Sequence, residues 1–370
     1  MIFFILNHNY HYHDFALHYP NIAHEEITVV EIPHILDNHE HDSRLKILRY
    51  EQRLKNKNLF IRSPEILALK RRLNKEITPK EGDVCIFYTE LELLNVYIAN
   101  RFYQAGAKVL LIEDGGLATY VPFCTLASER VTLRESAKLL FLRLLYSYWD
   151  LRFHKVYGYP YRYMQDNKLS GILIYQPVTL KRNVRSYLIK RPPQRKVEVT
   201  PRRAIFLNAY IYKLYQNFDD YIIGLQKILN YLCENFDSVF FKFHPSEGES
   251  ERVEIISKVL KFYPMVKIIL DDRAIEEIVD EYKPEVAASH FSAGSFNLLY
   301  QGVEPLFLYH LLPDLQQQPI FIAVTEILIS LGYNFVDESP LLGRSYSSGL
   351  SSNHNSPEAY NLIDYIHGMS

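Results

Sequence analysis

Short apolar runs alternate with longer segments of helical spacing along most of this 370-residue chain. That is the pattern of strands buried on both faces and helices laid across them. The second half shows it most plainly. Residues 204–207 are apolar, residues 221–236 carry Ile222, Leu225, Ile228, Leu229 and Leu232 at helical spacing, and residues 239–243 are apolar again up to His244-Pro245. A helix is predicted over 250–262 with Pro264 closing it, a strand over 266–270, and a helix capped by Asp272 that runs to about Tyr282. Residues 286–289 read as a small buried strand, 292–300 as a helix stopped by Gly302, and 305–309 as a further strand. In the first half, strands are predicted at 2–6, 27–32, 84–88 and 108–112, with helices near 64–74, 91–103 and 136–149; residues 171–175 fit a last strand. Repeated strand–helix alternation predicts an α/β protein with parallel sheets covered on both faces.

The length exceeds what one hydrophobic core holds, so two Rossmann-like domains are expected: residues 1–190 and 204–370, joined by a linker over 191–203 that opens near Pro192-Pro193. Residues 181–203 hold nine basic side chains and one acid, Glu198, which reads as a solvated linker or as a contact with an anionic membrane surface or acceptor. Net charge is −2, so binding of nucleic acid through bulk charge is excluded. Three widely spaced cysteines imply buried thiols of a reducing compartment, with no disulfide or zinc framework. Residues 1–7 are too short for a signal sequence, and the apolar run 139–149 contains Arg143 and falls well short of the roughly 20 residues of a membrane span. A cytoplasmic protein is expected, with peripheral contact at the inner membrane face as an accessory hypothesis.

Three polar interruptions carry candidate chemistry. Glu113-Asp114-Gly115-Gly116 follows an apolar strand directly; the glycines permit a sharp turn and close approach of substrate, and adjacent carboxylates raise each other's proton affinity, as a general base needs. Lys242-Phe243-His244-Pro245 ends a strand of the second domain, where an imidazole can donate to a phosphate or protonate a leaving oxygen. Ser289–Asn297 passes from a strand into a helix, and Ser292, Gly294 and Ser295 lie at that helix's start. Eight of 14 histidines fall in the first 41 residues, but their spacings match no common zinc pattern. Residues 7–18 follow the first strand and should border the cleft. There is no GxGxxG, no GxxxxGK[ST] and no Asp-x-Asp.

The ordered set of Glu113-Asp114-Gly115, His244-Pro245 and the Ser292–Ser295 segment resembles the motifs of bacterial sialyltransferases of the lipooligosaccharide and polysialyltransferase groups, with Ser-Ala-Gly-Ser here in place of adjacent serines. The resemblance implies the GT-B architecture, two Rossmann-like domains with parallel sheets facing a central cleft. It implies inverting transfer from a CMP-activated nonulosonic acid such as CMP-sialic acid to a cell-surface glycan acceptor, lipooligosaccharide or capsule. Glu113 would be the first candidate for the base and Asp114 the second, with His244 stabilising the departing phosphate. Gly115, Gly116, Asn208, Lys242, Pro245, Ser292, Gly294 and Ser295 would bind the donor, and no metal or other cofactor is expected. Alternatives are transfer of Kdo or another nonulosonate from its CMP donor, and a non-catalytic nucleotide- or glycan-binding protein of the same fold. Polyol-phosphate polymerases share the His-Pro strand end, but their Asp-Tyr-Ser-Ser and His-Gly-Thr segments are missing.

Overall fold

The computed structural model describes residues 1–22, 26–35, 43–50, 63–90, 92–114, 152–156, 159–178, 182–191, 194–209, 211–213, 216–245 and 247–331, together with 132–134, 136–137, 140, 144, 180, 362 and 365–366. Two compact units are present: one comprises Met1–Asp114, Pro122–Pro192 and His354–Ser370, the other Gly115–Val121 and Pro193–Asn353.

The first unit is built on a seven-stranded parallel sheet. Its strands are β1 (Ile2–His8), β2 (Ile27–Ile35), β3 (Lys46–Arg49), β4 (Val84–Phe87), β5 (Lys108–Ile112), β8 (Gly171–Ile174) and β9 (Ser186–Leu188), in the order β3-β2-β1-β4-β5-β8-β9. Between β5 and β8 lies an antiparallel hairpin, β6 (Arg152–Val156) and β7 (Tyr159–Tyr163). All four residues of β4 and all but one in β5 are buried, as an apolar run without alternation requires when helices cover both faces. Helices α1 (Asn9–His18), α2 (Ser63–Glu76) and α3 (Leu93–Gln104) connect the strands. The order reverses at β1, so the carboxyl ends of β1 and β4 flank a topological switch point, the usual place for a ligand in an open α/β sheet.

The second unit repeats the scheme with five parallel strands, β10 (Thr200–Leu207), β11 (Ser238–Lys242), β12 (Val266–Ile269), β13 (Pro284–Ser289) and β14 (Glu304–Phe307), ordered β12-β11-β10-β13-β14. Here the switch point lies between β10 and β13. Leu207 is in register with Lys242 on one side and Ser289 on the other, so three strands end level. The helices α4 (Phe218–Asn235), α5 (Glu249–Lys258), α6 (Ile275–Tyr282) and α7 (Ala293–Leu298) follow β10 to β13 in turn. One buried cluster, including Ile205, Leu207, Ile275, Ile278 and Leu298, ties α6 and α7 to the sheet.

Several expectations change. Residues 194–203 are no free linker: Val197 is buried in the core of the second unit, its N–H donates to the Gln301 carbonyl, and β10 opens at Thr200. The chain's end leaves the second unit, with Leu362, Tyr365 and Ile366 buried in the first and Tyr365 packed on Tyr187. Two side chains of the basic segment are drawn inward, while Arg185, Lys190, Arg195, Lys196 and Arg202 stay exposed. Arg182 is buried against Glu90 (2.5 Å) and Asp166 (2.8 Å), Arg191 faces the buried Asp14 at 3.7 Å, and Arg195 and Arg202 pair with Asp280 and Asp237. Asp272 pairs with Arg252 and does not cap α6, whose N-cap is Ala274. The run 139–149 falls outside the described residues apart from Leu140 and Leu144, which are exposed. Among the described residues no helix is long and apolar enough to cross a membrane.

Candidate functional site

Each unit gathers its candidate residues along the carboxyl edge of its own sheet. In the first, β1, β4, β5 and β8 are adjacent, and their ends deliver His11 (from α1), Tyr88, Glu113 with Asp114, and Tyr175. Consecutive residues at the end of β5 meet opposite environments. Glu113 is buried (2% exposed), with Oε2 accepting the Tyr175 N–H at 2.7 Å, and loss of hydration pushes its carboxyl up to about 8 although that hydrogen bond and Arg191 oppose the change. It is therefore mostly a neutral acid at pH 7. Asp114 reaches solvent, its side chain 29% exposed, and its Oδ1 lies 2.5 Å from His11 Nε2.

The tautomer of His11 follows from its other nitrogen. The Asn7 N–H donates to Nδ1 at 3.1 Å, so Nδ1 carries no proton and Nε2–H donates to Asp114. Asn7 is itself fixed by a reciprocal amide pair with Asn95 (3.1 and 2.7 Å) and by the Ile32 carbonyl. The His11 ring stacks on Tyr88 with centroids 4.4 Å apart. Below it, the buried Asp14 accepts from the phenols of Tyr88 (3.0 Å) and Tyr175 (2.8 Å), and burial raises both phenols well above their ordinary value, so both remain donors. Asp114 is thus held on one oxygen by a fixed donor, with its side chain partly open to water. His11 lies in the 7–18 segment expected to border the cleft, but no motif singled it out.

In the second unit, Asn208, Lys242 and His244 lie at the level ends of β10 and β11. His244 is partly buried and its imidazole is pushed down to about 4, first by loss of hydration and then by the positive charges of Lys213 and Lys242. It is neutral at pH 7 and offers a hydrogen bond; acting as an acid would need an anion beside it to raise its proton affinity. Pro245 is exposed in the turn. Lys242 is buried, and its ammonium donates to the Asp271 carbonyl. Asn208 is buried too: Nδ2 donates to Glu247 Oε1 at 2.8 Å, and Oδ1 accepts from Tyr221 at 3.0 Å. It supports the site from beneath. Glu247, absent from the expected set, accepts the His244 N–H at 2.7 Å; an acid three residues beyond the histidine is the sequence signal that could have marked it.

The serine segment is occupied with itself. Ser292 caps α7 by accepting from the Gly294 N–H (3.2 Å), its own N–H donates to Ser289 Oγ (2.9 Å), and the buried Ser295 hydroxyl donates to Ser289 (2.6 Å). Gly294 answers a packing need, since a Cβ there would lie 3.0 Å from Ile275 Cγ2 and 3.2 Å from Leu207 Cδ1. Gly115 and Gly116 lie outside the described residues. Among the described residues no group of three or more His, Cys, Asp or Glu side chains could hold a metal ion.

The sequence matches no protein-family model and no curated protein. Among solved structures, the chain is similar to a putative UDP-N-acetylglucosamine 2-epimerase from Listeria monocytogenes (11% identity, 83% of this chain and 78% of that one, TM-score 0.49). It is also similar to MurG from Acinetobacter baumannii (9% identity, 90% and 84%, TM-score 0.37) and to a glycosyltransferase from Rickettsia africae (10%, 89% and 93%, TM-score 0.39). At this distance the likeness carries nothing about activity.

Proposed function

We propose that the chain is an inverting glycosyltransferase that moves a nonulosonic acid, sialic acid in the first instance, from its CMP donor to a glycan hydroxyl. The observation that carries this reading is a division of chemistry between corresponding sheet edges: a His11-anchored carboxylate, Asp114, at the end of β5, and a cation-flanked His-Pro turn at the end of β11. The CMP donor rests on the motif resemblance alone.

The roles of the two acids are exchanged relative to the motif-based expectation. Asp114 takes the proton from the acceptor hydroxyl, whose oxygen attacks the anomeric carbon of the donor as the bond to the CMP phosphate breaks. Glu113, protonated and buried, shapes the strand end beneath it. The departing phosphate gains negative charge, which His244 meets beside the positive charges of Lys242 and of Lys213, itself paired with Glu251 at 2.7 Å; the anion in turn raises the proton affinity of His244. A monophosphate leaving group needs no more than these groups.

The test is incubation with CMP-sialic acid and a panel of galactose-, glucose- and sialic-acid-terminated acceptors. Transfer to one acceptor class is expected, with D114N losing about 10²–10⁴-fold in rate while still binding CMP. CMP binding without donor hydrolysis or transfer would replace the enzyme by a binding protein, and consumption of CMP-Kdo in preference to CMP-sialic acid would change the donor.

A further inference from the structure

The proposed phosphate-side role of His244 depends on where its turn is held, and one buried acid holds it. We propose that Glu247 is the positioning residue of the His-Pro turn, its carboxylate pinning the His244 main chain to the end of β10 and so setting where the imidazole meets the donor phosphate. The proposal deepens the glycosyltransferase reading and rests on it.

Glu247 is 3% exposed, and both its oxygens receive donors. Oε2 accepts the His244 N–H at 2.7 Å, while Oε1 accepts from Asn208 Nδ2 at 2.8 Å and from the Tyr212 hydroxyl at 3.3 Å. The Glu247 N–H returns a bond of 2.9 Å to the His244 carbonyl, closing the turn on itself. Asn208 is no loose partner. Its N–H donates to the Lys242 carbonyl at 2.9 Å, two residues before His244, and its Oδ1 is held by Tyr221. The turn is therefore fastened to the sheet at Lys242 by main chain and at His244 through the Glu247 carboxylate.

Three donors converging on two oxygens call for a carboxylate and not an amide. In E247Q one oxygen becomes an NH2 that confronts either the His244 N–H or the Asn208 amide, so a buried donor loses its acceptor with almost no change of shape. Replacing Asn208 by Asp at the same time restores the balance: the glutamine oxygen serves His244, its NH2 donates to the new carboxylate, and the Tyr221 hydroxyl keeps an acceptor.

The experiment uses the full chain, wild type, E247Q and N208D/E247Q, with 15N-detected titration of the histidine side chains and steady-state transfer from CMP-sialic acid. In E247Q the His244 turn should come away from the sheet into water. Its titration midpoint should then rise from near 4 toward the ordinary 6.5 and kcat should fall about tenfold with a smaller change in KM. The double variant should recover both. A wild-type titration and wild-type kcat in E247Q would overturn the proposal, as would losses that the double variant fails to restore. If E247Q does not fold, E247D, which keeps the charge but falls one methylene short of Asn208, carries the same comparison. The titration needs no turnover, so a wild type that transfers nothing refutes the activity without bearing on Glu247.

Discussion

Replacing Glu113 by Gln separates the two acids at the end of β5 and tests the burial argument directly. With its carboxyl at about 8 against an ordinary 4.5, Glu113 is about nine-tenths protonated at pH 7, and Gln is the isostere of that neutral form. Its amide oxygen can take the Tyr175 N–H that Oε2 accepts. Because the folded value lies above the unfolded one, the native state holds the proton more tightly. The stability this contributes is fully present below pH 4.5 and is lost as pH rises toward 8. At about 1.4 kcal/mol per pH unit, wild type gives up about 3 kcal/mol between pH 4.5 and 7, and about 5 kcal/mol by pH 8 and beyond. Gln has no such proton to lose. E113Q should match wild type in thermal melts near pH 4.5 and melt several degrees higher at pH 7 to 8, while retaining transfer that D114N slows by about 10²–10⁴-fold. Parallel pH profiles for the two proteins would refute the burial argument. An inactive E113Q beside an active D114N would return the base to Glu113.

Three further outcomes follow from the same geometry. CMP binding should take up a proton at pH 6, because an anion beside His244 raises an imidazole that stands near 4 in the free protein; affinity should climb as pH falls through the raised value and level off near pH 4, and calorimetry in two buffers should show the uptake in wild type but not in H244Q. R191A strands the buried Asp14 without its cation and should cost about 3 kcal/mol in denaturant unfolding; an unchanged midpoint would mean the two phenols suffice. G294A forces a methyl against Ile275 and Leu207 within a packed cluster and should cost about 1–3 kcal/mol and weaken CMP binding, whereas a neutral melt would show that α7 can shift at no cost.

The parallel sheets were legible because their central strands are continuous apolar runs, and such runs have one stable setting, between two layers of helices. Strands β3 and β9 were not: Lys46–Arg49 and Ser186–Leu188 are short and only partly buried, so no periodicity marks them. Two side chains of the basic segment were missed for a different reason. A lysine- and arginine-rich stretch reads as solvated, but Arg182 and Arg191 are buried on acids 92 and 177 residues earlier in the chain, Glu90 and Asp14. No local window contains both partners.

The ordering of Glu113 and Asp114 exposes the same limit at the scale of one residue. The strand period places neighbours on opposite faces, but in a sheet covered on both sides parity does not say which face is dry. That is decided by what lies beyond: the Tyr175 N–H, just past the end of β8, meets Glu113, while α1 presents His11 to Asp114. One carboxyl is thereby buried and held near neutral while its neighbour is anchored at the edge of solvent, a distinction that depends on contacts 62 and 103 residues away in sequence. The motif therefore located both acids at the end of β5, and their surroundings separate a buried Glu113 from a solvent-reaching Asp114.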